Sequence, residues 1–135
     1  MGNFTVAPRS PHTQQLPYFR RSVAFNTVEI GTAGKVPLGT LPSGAIVTGA
    51  LVKVTEAFNA ATTNVLTVGT AADDDAIITA TDVDETDVDT TVTFAAYGYY
   101  VSVDTPLFIK YTQTGTAATT GAVTVILFFV PNNDR

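Results

Sequence analysis

Residues 73–89 hold eight of the chain's twelve acidic groups (Asp73, Asp74, Asp75, Asp82, Asp84, Glu85, Asp87 and Asp89) and no base. Carboxylates this dense can surround a hard cation such as calcium. They can also work in pairs, when their environments push two pKa values apart. The segment DVDETDVD (82–89) places Asp82 and Asp84 at positions 1 and 3 of an EF-hand loop. The match then fails: Thr86 stands at position 5, Asp87 replaces the glycine at 6, and Thr93 stands where a glutamate is needed at 12. The neighbours are polar, so nothing points to a raised carboxyl pKa. No metal site is expected, and the run reads as a solvated loop or as a face for a basic partner surface.

Other chemistry is sparser still. The single histidine, His12, lies in a proline-rich stretch without a strand to orient it, which leaves a Ser–His–Asp arrangement unsupported. There is no cysteine, hence neither a disulfide framework nor a thiolate metal site. Gly31 and Gly34, like Gly39 and Gly44, fall in hairpin contexts with no following helix to receive a phosphate. An enzyme is therefore not expected, and no cofactor is implied.

The elements that would position these residues are strands. Short Thr- and Val-rich runs recur about every ten residues between turn-forming clusters, the spacing of a sandwich or barrel. They are SVAFNTVEI (22–30), KVPLGTL (35–41), AIVTGALVKVTEAF (45–58), VLTVGTA (65–71), AIITATDV (76–83), VDTTVTFAAY (88–97), YYVSV (99–103), PLFIKYTQT (106–114) and AVTVILFFV (122–130). Pro37 confines its strand to an edge or a bulge. Val52, Val54 and Phe58 are expected on one face, as are Val88, Val92 and Phe94. No 3.6-residue stripe long enough for a substantial helix occurs. ILFFV is apolar on both faces, so one side of the last strand is expected to meet further cover, its own domain or a partner.

Residues 1–21, MGNFTVAPRSPHTQQLPYFRR, differ from this body. They contain Pro8, Pro11 and Pro17, the bases Arg9, Arg20 and Arg21, and no acid. Proline removes donors and biases its neighbour toward extended backbone, so an extended N-terminal arm over 1–21 and a β-domain over 22–135 are expected. Arg9, Tyr18, Phe19, Arg20 and Arg21 are the arm's candidate partner contacts, with the arginines suited to bidentate carboxylate recognition. Tyr97, Tyr99 and Tyr100 around Gly98, together with Phe128, are candidate interface aromatics. Such tyrosines stack on sugars or anchor protein contacts, or else they half-bury at a core edge.

Charged residues make up 14% of the chain and the net charge is −5. That balance speaks against nucleic acid as the main partner. No segment approaches the length of a membrane span, and nothing near the N-terminus resembles a signal peptide. Use without export, in a reducing cytoplasm or a particle assembled there, is the expectation.

The stretch LPSGAIVTGALVKVTEAFNAATTNVLTVGTAADDDAIITATDV (41–83) resembles small virion proteins of tailed bacteriophages. The resemblance lies in a P-x-G-A-x-V entry, a strand ending in AFNA-x-T-T-N, and L-x-V-G-T-A-A-D-x-D-A; TPLFIKYTQTGTAATTGAVTVILFFV (105–130) matches their closing hairpin. It spans about residues 36–130 and is most specific over FNAATTNVLTVGTAADDDA (58–76). What it implies is an all-β, antiparallel, jelly-roll-like sandwich of about eight strands. It further implies a capsid cement (decoration) protein on the outer surface of the virion, assembled in the bacterial host cytoplasm, whose partner is the major capsid protein. A homo-oligomer, dimer or trimer, is expected. The alternative is a carbohydrate- or receptor-binding module of a phage tail or fibre.

Overall fold

A computed structural model describes residues 17–27, 35–93 and 96–132. Seven strands are present among them: β1 (Tyr18–Ala24), β2 (Lys35–Leu41), β3 (Ile46–Glu56), β4 (Thr63–Gly69), β5 (Thr90–Thr93), β6 (Thr105–Thr114) and β7 (Ala122–Val130). They form two antiparallel sheets in the orders β1-β7-β3-β5 and β2-β6-β4. Each strand lies in the opposite sheet from its predecessor, so the chain rolls up as it proceeds. This is a jelly-roll-like sandwich, with the sequence-expected architecture.

The core between the sheets follows the alternation of the strands. In β7, Val123, Val125, Leu127 and Phe129 point inward; in β6, Leu107, Ile109 and Tyr111 do. Val52, Val54 and Phe58 are all buried, as expected. Pro37 meets both sequence expectations: β2 is an edge strand, and its register shifts between Pro37 and Gly39. The missing N–H therefore falls where no ladder needs it.

Three expected strands are shortened or lost. AIITATDV makes only the bridge Ile78–Val68 beside β4. Ile77 and Ile78 are both fully buried around that single bridge, and Asp82 then closes a turn by accepting the Thr79 N–H at 2.8 Å, which ends the extended run. YYVSV contributes one bridge, Tyr100–Ile46. The 88–97 run narrows to the four residues of β5, an edge strand. Val88 and Val92 are both exposed, while Thr91 and Thr93 are half-buried, so the valines lie on the outer side of this strand. Phe94 lies outside the described residues.

β1 starts at Tyr18, four residues before the expected domain boundary at Ser22, and pairs with β7 along its length, from Tyr18–Phe128 to Ala24–Ala122. The proline effect ends at Pro17, whose carbonyl accepts the Phe129 N–H. Residues 1–16, including Arg9 and His12, lie outside the described residues.

Candidate functional site

The acidic segment is built from turns. Asp84 Oδ1 accepts from the Thr86 N–H (3.1 Å) and hydroxyl (2.7 Å), bonds that hold its carboxyl below the ordinary aspartate range. Asp89 Oδ1 accepts the Thr90 N–H at 2.7 Å, and Asp82 caps Thr79. Glu85 is the exception in burial: only 6% of its surface is exposed. Its Oε1 accepts the Leu66 N–H at 2.7 Å and its carbonyl accepts the Phe58 N–H at 2.9 Å. Burial pushes its carboxyl pKa up, with the Asp84 charge adding to the effect. Among the described residues no group of three or more His, Cys, Asp or Glu side chains is arranged to hold a metal ion.

Asp74 instead pairs with Lys110 of β6 at 2.6 Å, and this bond lowers the Asp74 pKa. Both side chains are about a third exposed (32% and 38%), so water screens the pair. Lys110→Ala is expected to cost no more than about 1 kcal/mol, a loss that shrinks further in concentrated salt. A denaturant melt at low and high salt measures both.

The segment most specific to the phage resemblance turns out to be joinery. Phe58 packs its ring on Tyr111, centroids 4.6 Å apart. Asn59 Oδ1 accepts the N–H groups of Thr119 and Thr120 at 2.8 and 3.1 Å. Asn64 Oδ1 accepts from the Ala60 N–H and the Tyr111 hydroxyl at 2.9 and 2.7 Å. Thr70 and Asp73 close a tight turn by mutual hydrogen bonds. Asn59 thus ties the β3–β4 loop to the β6–β7 loop, and Phe58 and Asn64 tie it to Tyr111 of β6.

The candidate contact residues divide by strand parity. Tyr18 and Arg20 point outward, whereas Phe19 and Arg21 turn in. Phe19 stacks on Phe129 with centroids 4.8 Å apart, and Arg21 Nη1 donates to the Pro37 carbonyl at 2.9 Å, linking β1 to β2. Both are candidate partner contacts from the sequence; in the fold Phe19 packs on Phe129 of its own sheet and lies over Gly39 of β2, and Arg21 reaches β2 across the sandwich. Tyr99 packs against the core, whereas Tyr97 and Tyr100 are 70% and 60% exposed. Phe128 is half-buried on the outer face of β7 beside Tyr18.

That outer face is apolar well beyond Phe128. Cross-strand rows read Val130–Ile46–Tyr100, then Tyr18–Phe128–Gly49, then Arg20–Ile126–Leu51–Val92. Tyr18, Ile46, Val92, Tyr100 and Val130 are among the most exposed large apolar side chains described. The ILFFV run signalled this face in the sequence. Ile46 and Leu51 were not singled out, and Val92 was read only as sharing a face with Val88 and Phe94, because only the strand order and register place them beside it.

No protein-family model matches the chain, and no curated protein matches it. Solved structures do. A chain of the cyanophage Pam1 capsid asymmetric unit is 25% identical, with a TM-score of 0.62, covering 86% of this chain and 84% of that one. A chain of the capsid of Ralstonia phage GP4 shares the fold at 17% identity and a TM-score of 0.59, covering 98% and 93%. The resemblance to phage virion structural proteins, read over residues 36–130, thus has counterparts in two phage capsids.

Proposed function

We propose that this chain is a structural, non-enzymatic protein of a phage virion, a capsid cement (decoration) protein on the outer surface of the head. In this reading it bridges major capsid subunits, with its β-body over a junction and its N-terminal arm laid across a neighbour. The observation that carries the proposal is the likeness to a Pam1 capsid chain over most of both lengths. The site supports it by what it contains: turn-capping carboxylates, loop joinery and an apolar sheet face.

The arm adds reach. Sixteen extended residues span up to about 55 Å at ~3.3–3.6 Å each, and prolines lower the entropy lost when such a segment is ordered. Arg9 supplies a carboxylate contact there. A truncation that tests this must stop at residue 16, because residues 18–21 belong to β1 and Phe19 packs on Phe129.

Deleting residues 2–16 is expected to leave melting unchanged within a few degrees and to reduce occupancy on shells lacking this protein at least tenfold. Sedimentation of shells with bound chain measures the occupancy. Full decoration by the truncated chain would remove the arm from the mechanism. Wild-type chain that binds no shell would remove the cement reading itself. The exposure of Tyr97 and Tyr100 favours one second reading, a glycan-binding tail or fibre module. It would be supported by glycan-array binding that Tyr97→Ala or Tyr100→Ala abolishes.

A further inference from the structure

We infer that the outer face of the four-stranded sheet is the surface that seats on the capsid shell, and that its partner patch is apolar with carboxylates at its rim. The inference rests on the proposed virion role and adds which side of the molecule docks.

Charge comes first. The outward residues in the rows from Val130 to Thr124 include Arg20 and Lys53 and no carboxylate. Most of the acidic run lies in the connection from β4 to β5, and Asp74 is held on β6 of the other sheet, while Asp89, next to Thr90, and Glu56, opposite Ala122, border the Lys53 end of the face. A surface of apolar side chains with two cations calls for a partner that supplies anions at matching points. A second copy placed face to face would offer Arg20, in the middle of the apolar rows, no carboxylate from its own middle rows, which disfavours it against a partner that carries acids there.

Area and continuity come next. Strands of seven, nine, eleven and four residues, at ~4.8 Å spacing and ~3.3 Å per residue, give a face of roughly 490 Å². A specific interface needs about 800 Å² per partner. The shortfall is of the size an extended segment can cover, and residues 1–16 run directly into this sheet. Pro17 precedes Tyr18, which pairs with Phe128 in one of the apolar rows. The arm is also basic, with Arg9 and no acid. The sequence preceding β1 thus carries the same charge sign as Arg20 and Lys53.

The test uses the full chain and shells assembled without it. Arg20→Glu/Lys53→Glu reverses two exposed charges at little risk to the fold, and Ile126→Thr/Phe128→Thr removes apolar surface while keeping β-formers. Each pair is expected to lower shell affinity at least tenfold with the cooperative melt retained, whereas Asp84→Asn/Asp87→Asn on the acidic side leaves affinity unchanged. If wild type binds and both face variants bind equally well, the docking face is wrong and the cement reading stands. If the face variants instead dissociate a wild-type oligomer, the face is a contact between copies and the inference falls. If wild type does not bind shells at all, both fall together.

Discussion

Gly121→Ala is expected to destabilise the domain by about 3–5 kcal/mol, lowering its melting temperature by roughly 10–15 °C. Two independent penalties meet at this position. Its φ of +139° is one that residues with a side chain rarely adopt. A Cβ there would also enter the Phe58 ring, 2.5 Å from Cγ and 2.6 Å from Cε2. The ring cannot retreat, because Phe58 is buried and stacked on Tyr111. Nor can the backbone move cheaply: the Gly121 N–H donates to Glu56 Oε1 at 2.9 Å and its carbonyl accepts the Phe25 N–H at 2.9 Å. Gly98→Ala separates the two penalties. Gly98 has φ +86° but nothing within 4 Å of its added Cβ, so backbone strain alone, about 1–2 kcal/mol, is expected. Adding Phe58→Leu to Gly121→Ala should recover part of the loss, and a double-mutant cycle measures the coupling. Melting of Gly121→Ala within 2–3 °C of wild type would show that the ring has room to move.

The all-β class was legible because it depends on local signals: alternation, turn clusters and the placement of Pro37. Strand β7 could be read directly, since Val123, Val125, Leu127 and Phe129 alternate with their neighbours over nine residues. The start of β1 could not. Tyr18–Arg21 follow a proline and carry two arginines, so composition resembles an arm; pairing with β7 overrides it by burying Phe19 against Phe129 and giving Arg21 an acceptor across the sandwich. Tertiary context likewise decides 76–83, where two adjacent isoleucines are both swallowed by the core and the strand pattern breaks. The alternation of β5 grouped its residues by face, but four edge residues do not say which face meets the core. Val92 is turned outward by its pairing with Leu51. The apolar docking face shares this origin: it is a set of cross-strand neighbours, and neighbours across a sheet are not neighbours in the sequence.

The same distinction separates Glu85 from the acids around it, and Glu85→Ala is the second large effect, expected at about 2–4 kcal/mol. Leu66 is fully buried, and removing Oε1 leaves its N–H without an acceptor, about 1–3 kcal/mol before the void is counted. Glu85→Gln keeps an acceptor oxygen and discards the charge. Burial raises the Glu85 pKa in the folded chain, so the folded state holds this proton more tightly than the unfolded state. From the ordinary glutamate value to the raised one, stability falls as pH rises, and the deficit persists above that window. It is absent well below the ordinary glutamate value, about pH 4.3, and full only above the raised one. Glutamine does not titrate, so the melting temperature of Glu85→Gln relative to wild type should increase as pH rises from about 4 through the raised Glu85 pKa. Asp74 and Asp84, whose pKa values are lowered by Lys110 and Thr86, shift stability the opposite way, but they are present in both proteins and cancel in the difference. A difference that stays flat with pH would mean that Glu85 keeps its ordinary titration on folding. Glu85→Ala as stable as wild type would mean that the 79–89 loop is held to β4 by packing alone. The expected pair of results, a costly alanine and a pH-dependent glutamine, identifies this one member of the acidic run as a structural tie rather than a ligand.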